Sequence, residues 1–174
     1  MQSLSAPPSR RGFLRLSSAA AAGLIAAPGA VLHAQSQQTQ ARPRPPALAP
    51  SLVQEYVRAA HVDLEKTKSL LAETPTLLNA VWDWGGGDFE AAIGGAGHMG
   101  AQDIALYLLS QGARMDIFVA AMLGKLDILK TTLGAFPELL YSKGPHGIPL
   151  MAHARKGGEQ AAAVVEYLRS LRLE

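Results

Sequence analysis

Beyond residue 50 the chain repeats one pattern: a short run of small residues, a break, then an apolar stripe at helical spacing. The stripes are "LEKTKSLLAE" from Leu64, "AQDIALYLLSQGA" from Ala101, "LDILKTTLGAFP" from Leu126 and "QAAAVVEYLRSL" from Gln160. Apolar residues three and four positions apart turn one helix face toward a core. Lys66, Lys68, Lys130 and Arg169 fall on the solvated side of these stripes. The small-residue runs are "AAHVD" (59–63), "AAIGGAGHMG" (91–100), "AAMLG" (120–124) and "IPLMAHARKG" (148–157). Three end in glycine, which closes a helix in the left-handed conformation at little cost. Asp63 ends the fourth, and Asp63 and Asp127 suit the starts of second helices. The pattern predicts helix pairs in series.

Self-comparison sharpens this. "YVRAAHVDLEKTKSLLAETPTLL" (56–78) lies over "FVAAMLGKLDILKTTLGAFPELL" (118–140) at a constant offset of 62, without gaps. Val57 meets Val119, Leu64 meets Leu126, Leu71 meets Leu133 and Pro75 meets Pro137. That offset is close to two ankyrin periods of roughly 33 residues. "IPLMAHARKG" follows the T-P-L-H-x-A-A-x-x-G opening of such a unit, and "LLSQGARMD" its L-L-x-x-G-A-x-x-N ending.

On these residues the segment 51–174 resembles an ankyrin-repeat domain. The resemblance implies an all-α, ankyrin-like solenoid of about four stacked helix pairs with short hairpin fingers. Its units span about 51–80, 81–116, 117–143 and 144–174. Each pair buries its apolar face only against neighbours. The turn positions 63, 100, 124 and 157 are 37, 24 and 33 residues apart. The short middle spacing leaves no room for a finger between units two and three. "TPTLLNA" and "FPELLYS" extend the second helices of units one and three.

Composition changes the picture mainly at the N-terminus. The chain has 16 basic and 14 acidic residues, but Arg10, Arg11 and Arg15 stand in a first 34 residues that hold no acid. The remainder is near neutral, which gives no electrostatic reason to expect nucleic acid. "SRRGFLRL" (9–16), followed by a weakly apolar Ala-rich run, resembles the bacterial twin-arginine export signal through Arg10, Arg11, Phe13 and Leu14. That resemblance implies a signal peptide over 1–34 and a periplasmic protein exported already folded. Ala34 is the natural cleavage point, although Leu32 stands where a small residue is preferred. An uncleaved signal would anchor the chain in the inner membrane. Residues 35–50, "QSQQTQARPRPPALAP", are too polar and proline-rich to bury a core and read as a disordered linker. With no cysteine in the chain, disulfides and thiolate metal sites are excluded.

Candidate chemistry is sparse. "GAGHMG" (95–100) spells G-x-G-x-x-G before a helical stripe, with Asp116 downstream as an acid. A dinucleotide loop must follow a buried Val/Ile-rich strand; here "WDWGGGDFEAAI" precedes it. The repeat reading accounts for the same glycines as small-residue slots and a turn. No nucleophile elbow, P-loop or cysteine nucleophile occurs. His61, His98, His146 and His153 are scattered, and with Asp83, Asp88 and Glu90 they supply metal-ligand types. No pair has the spacing of an H-x-x-x-H site. Structural polar roles, and no metal or cofactor, are the expectation.

The most unusual stretch is "VWDWGGGDFE" (81–90), where a finger should project between units one and two. Trp82 and Trp84 alternate with Asp83, so both rings face one side of an extended segment. They serve either as partner anchors or as a cap folded over the first helix pair. "SKGPHGIP" (142–149) is the second finger, with His146 at its tip. The expected function is a non-enzymatic, monomeric module that binds a protein partner through its concave face and its fingers, with Trp82, Asp83, Trp84, Asp88, Glu90 and His146 as the finger contacts. The alternative is a small periplasmic enzyme or metal- or ligand-binding protein using the same fingers.

Overall fold

The computed structural model of the chain describes residues 45–171. The twin-arginine motif and most of the linker lie outside them. The described part holds eight α-helices: α1 (Pro50–Ala59), α2 (Leu64–Glu73), α3 (Ala92–Met99), α4 (Gln102–Ser110), α5 (Ile117–Met122), α6 (Leu126–Ala135), α7 (Leu150–Lys156) and α8 (Ala162–Ser170). One two-stranded hairpin, β1 (Val81–Asp83) and β2 (Phe89–Ala91), stands between α2 and α3. The fold is therefore mostly helical, as the stripes predict. Among the described residues, no helix is long and apolar enough to cross a membrane.

The helices pair in sequence order, α1 with α2, α3 with α4, α5 with α6 and α7 with α8. The first helix of each pair also packs on the first helix of the next, α1 on α3, α3 on α5 and α5 on α7, and α3 reaches past α5 to pack on α7 as well. Composition explains which helices pack this way. Ala92–Gly97 of α3 and Val119–Met122 of α5 are buried throughout, because these helices have neighbours on several sides. Small residues set the spacing: a Cβ on Gly97 would come within 3.1 Å of Val119. The second helices bury one stripe each, Ile104, Ala105 and Leu108 in α4, Leu129 and Leu133 in α6.

The punctuation follows side-chain chemistry. Asp63 caps α2 by accepting from the Lys66 amide at 2.9 Å, and Asp116 caps α5 by accepting from Val119 at 2.8 Å. Asp116 is thus a helix cap in the structure. Asp127 lies in the first turn of α6, where a negative charge suits the helix dipole. "GAGHMG" lies within α3 and its cap: Gly95 and Gly97 are helical and buried, and Gly100 is left-handed at φ 80°. Short 3-10 turns at Pro75–Leu77 and Pro137–Tyr141 follow α2 and α6.

Gly100 carries two constraints at once, its left-handed backbone and a neighbouring carbonyl, that of Lys156, 2.7 Å from where a Cβ would stand. Gly100→Ala is expected to cost about 1–2 kcal/mol from backbone conformation alone, and more from the contact. A lowered urea midpoint with unchanged m-value checks this; an unchanged midpoint contradicts it.

Candidate metal centre

The two fingers are built differently and meet at one place. In the first, Trp82 pairs with Glu90 across the strands, Asp83 with Phe89 and Val81 with Ala91. Alternation sends Trp82 and Glu90 inward and leaves Val81, Asp83 and Phe89 exposed. Gly85, Gly86 and Gly87 all have positive φ, so the turn demands glycine. The Asp83 carboxylate holds that turn, accepting from the Gly85 amide at 2.9 Å and from Gly87 at 3.2 Å. The second finger closes with a single bridge, Lys143 to Pro149, around a 3-10 turn at Pro145–Gly147.

Four side chains converge between them. His61 comes from the turn after α1, Glu90 from β2, His98 from the last turn of α3 and His146 from the second finger. One donor atom from each lies within 4.8 Å of all the others. His98 Nε2 is 3.2 Å from His61 Nε2 and 2.9 Å from Glu90 Oε1. Glu90 Oε2 is 3.4 Å from His61 Nε2 and 3.5 Å from His146 Nε2. A tetrahedral ion with ligands at about 2.0–2.1 Å has ligand–ligand edges of about 3.3–3.4 Å. The measured separations, 2.9–3.5 Å to one or other Glu90 oxygen and between His61 and His98, lie near that value, and the four donors together span up to 4.8 Å. The rings meet edge to face, His61 with His98 at 4.9 Å and His98 with His146 at 5.2 Å between centroids.

The outer partners turn the lone pairs inward. His61 Nδ1 is 2.8 Å from the Val57 carbonyl, which only accepts, so in the neutral ring the proton sits on Nδ1 and Nε2 is free. His146 Nδ1 is 2.7 Å from Asp88 Oδ2, with the same consequence. This is the arrangement by which outer partners orient metal-bound histidines. The Trp84 indole donates to Glu90 Oε2 at 2.7 Å, and Arg58 lies over the Trp84 ring at 4.9 Å. Gly95 admits His61 to the centre: a Cβ there would stand 2.7 Å from the imidazole.

Glu90 is fully buried. Burial on its own would raise its carboxyl pKa, but the imidazoles of His61 and His98 and the Trp84 indole outweigh it and hold the group at about 2. Its Oε1 makes no aligned hydrogen bond, despite the closeness of His98. The Glu90 contact raises the pKa of His61, against the opposing effect of burial. Asp88 is lowered, first by the His146 backbone amide and also by its ring. Three nitrogen donors and a carboxylate, without sulfur, suit a borderline divalent ion such as zinc.

The residues expected on a partner-binding surface therefore divide. Glu90 points into the centre, Asp88 and His146 bind each other, and Trp84 roofs the carboxylate. Trp82 and Trp84 both pack partly buried against the core that includes Tyr56, Val57, Ile93 and Ala96. Asp83 remains exposed as a turn residue. His61 and His98, expected to have structural polar roles, stand in the centre. Their signal was register: each precedes the turn residue of its unit, Asp63 or Gly100, by two positions, so stacking makes them neighbours. His153 stays apart, buried against Phe118 with Nδ1 near the Pro149 carbonyl, and burial lowers its pKa.

Gly95→Ala is expected to push the His61 ring off the centre without unfolding α3, because the obstacle is a side chain that can swing. Imidazole resonances of His61 and His98 should shift while far-UV circular dichroism stays unchanged; unmoved resonances would contradict the packing described. Comparisons with protein-family models, curated proteins and solved structures found no match to the chain.

Proposed function

We propose that the chain is an exported, ankyrin-type repeat domain that binds one divalent transition-metal ion through His61, Glu90, His98 and His146. The observation that carries this reading is the convergence of four donors within 4.8 Å of one another, with outer partners on His61, Glu90 and His146. The ankyrin-type assignment is supported by the gapless offset of 62, the serial helix pairs and the finger between α2 and α3. Export rests on the S-R-R-x-F-L-R motif. Four protein donors complete a tetrahedron and leave no coordination position for a substrate, so the reading is non-catalytic. The ion would tie the ends of α1 and α3 to both fingers.

Partner binding has its own support on the outward side of the fingers. Phe89 is 61% exposed and Val81 50% exposed. They border a groove of about 460 Å³ that Phe118 and Lys143 also line. In this reading the metal shapes the fingers and the groove receives a protein partner.

The purified full chain, stripped and titrated, should take up one equivalent of zinc. At free zinc 100 times Kd it should gain about 2.7 kcal/mol of stability. Affinity should fall as pH drops: His61 holds its proton to a pH above the ordinary value, and zinc must displace it. Glu90→Gln should lose affinity by more than the roughly 10–100-fold typical of an outer-partner change. No saturable uptake, or uptake by Glu90→Gln equal to wild type, would overturn the proposal.

A further inference from the structure

The four donors are not held alike. Side-chain exposure rises from 0% at Glu90 through 9% at His98 and 18% at His61 to 31% at His146. The first three belong to regular elements or the turn closing one: β2, α3 and the end of α1. Moving any of them disturbs a hairpin or a helix end. His146 sits on a short turn closed by one bridge, with Gly144 and Gly147 on either side.

His146 is also the one non-glycine residue among those described with positive φ, at 58° with ψ 19°. A side chain in this region is disfavoured and persists where its surroundings hold it. Its hydrogen bonds go to Asp88, in the turn of the other finger just before β2. Asp88 Oδ1 accepts from the His146 backbone amide at 2.8 Å, and Oδ2 accepts from Nδ1–H at 2.7 Å. Both bonds are at the surface, and the Asp88 side chain is itself 31% exposed. Releasing them frees a left-handed backbone to relax, and no helix need move.

Building on the metal reading, we propose that the second finger is the door of the centre: His146 is the exchangeable ligand and Asp88 is its latch. The metal then enters and leaves through a state in which His61, Glu90 and His98 hold it and the fourth position is open. The exchange is a simple ligand substitution. His146 Nε2 departs with its lone pair, an incoming imidazole or carboxylate donates one, and no electron is transferred. Such a site suits a protein that receives and surrenders its ion, in contrast to one whose ion is locked in by buried ligands. Asp88 acts here as a positioning residue through His146.

The test is the rate at which the zinc-loaded full chain gives up its ion to a chromogenic chelator, as a function of chelator concentration. For wild type the rate should saturate, because opening of the finger becomes limiting. Asp88→Asn can still accept from the His146 amide but has lost the acceptor for Nδ1–H. It should raise the saturating rate about 10–100-fold, with unchanged circular dichroism. His146→Asn, which tolerates the left-handed backbone, should still take up one equivalent and release it without saturation. Equal saturating rates in wild type and Asp88→Asn overturn the door, as does a His146→Asn chain that binds no zinc or saturates as wild type does. A wild-type chain that takes up no zinc overturns the metal reading itself, so the two failures are told apart.

Discussion

A carboxylate with no exposure to water is the constraint on which this structure turns. An ionised Glu90 cannot be buried alone; it must be surrounded by donors or by positive charge. The chain surrounds it with two imidazoles from successive helix pairs, a third from a finger, and an indole N–H. Gly95 leaves room for the His61 ring, Arg58 lies over the Trp84 ring, and Asp88 fixes His146. These features serve one group. A half-satisfied buried polar network is costly. An ion bound at the centre would use the lone pairs that protein hydrogen bonds leave over.

Helix packing supplies the precision such a centre needs. His61 and His98 are brought together because α1 and α3 pack side by side through small residues, and because both rings stand at the same place in their units. Packing of α1 on α3 converts a separation of 37 in sequence into 3.2 Å between Nε2 atoms. Glu90 reaches the same point because the cross-strand pair Trp82–Glu90 faces inward, a consequence of strand alternation. His146 on the second finger is the most exposed contributor, and Asp88 accepts two hydrogen bonds from it.

Much of this fold was legible in the sequence. Helical spacing located the second helices, Gly100, Gly124 and Asp63 located three turns, and the Trp-Gly stretch located the hairpin; at the fourth turn Gly157 is right-handed and Gly158 takes the left-handed backbone, at the start of a 3-10 turn. "GAGHMG" forms most of α3 and its left-handed cap at Gly100, and the strand before it is the short hairpin strand β2. The centre was less legible, for a physical reason. Ligand-spacing rules describe residues on one helix face, whereas these donors come from four separate elements. Only register between units relates His61 to His98, and nothing local in the sequence marks Glu90 as the inward member of its strand. For the tryptophans the sequence left two roles open, partner anchor or cap over the first helix pair, because aromatic residues serve both; the hairpin packs them, partly buried, against the core that Tyr56, Val57 and Ile93 belong to.

X-ray absorption at the metal edge of the zinc-loaded full chain tests the central claim most directly. The account predicts a four-coordinate shell at about 2.0–2.1 Å, with the outer scattering of three imidazoles and one carboxylate oxygen. A six-coordinate oxygen shell, or a spectrum without imidazole scattering, would contradict it.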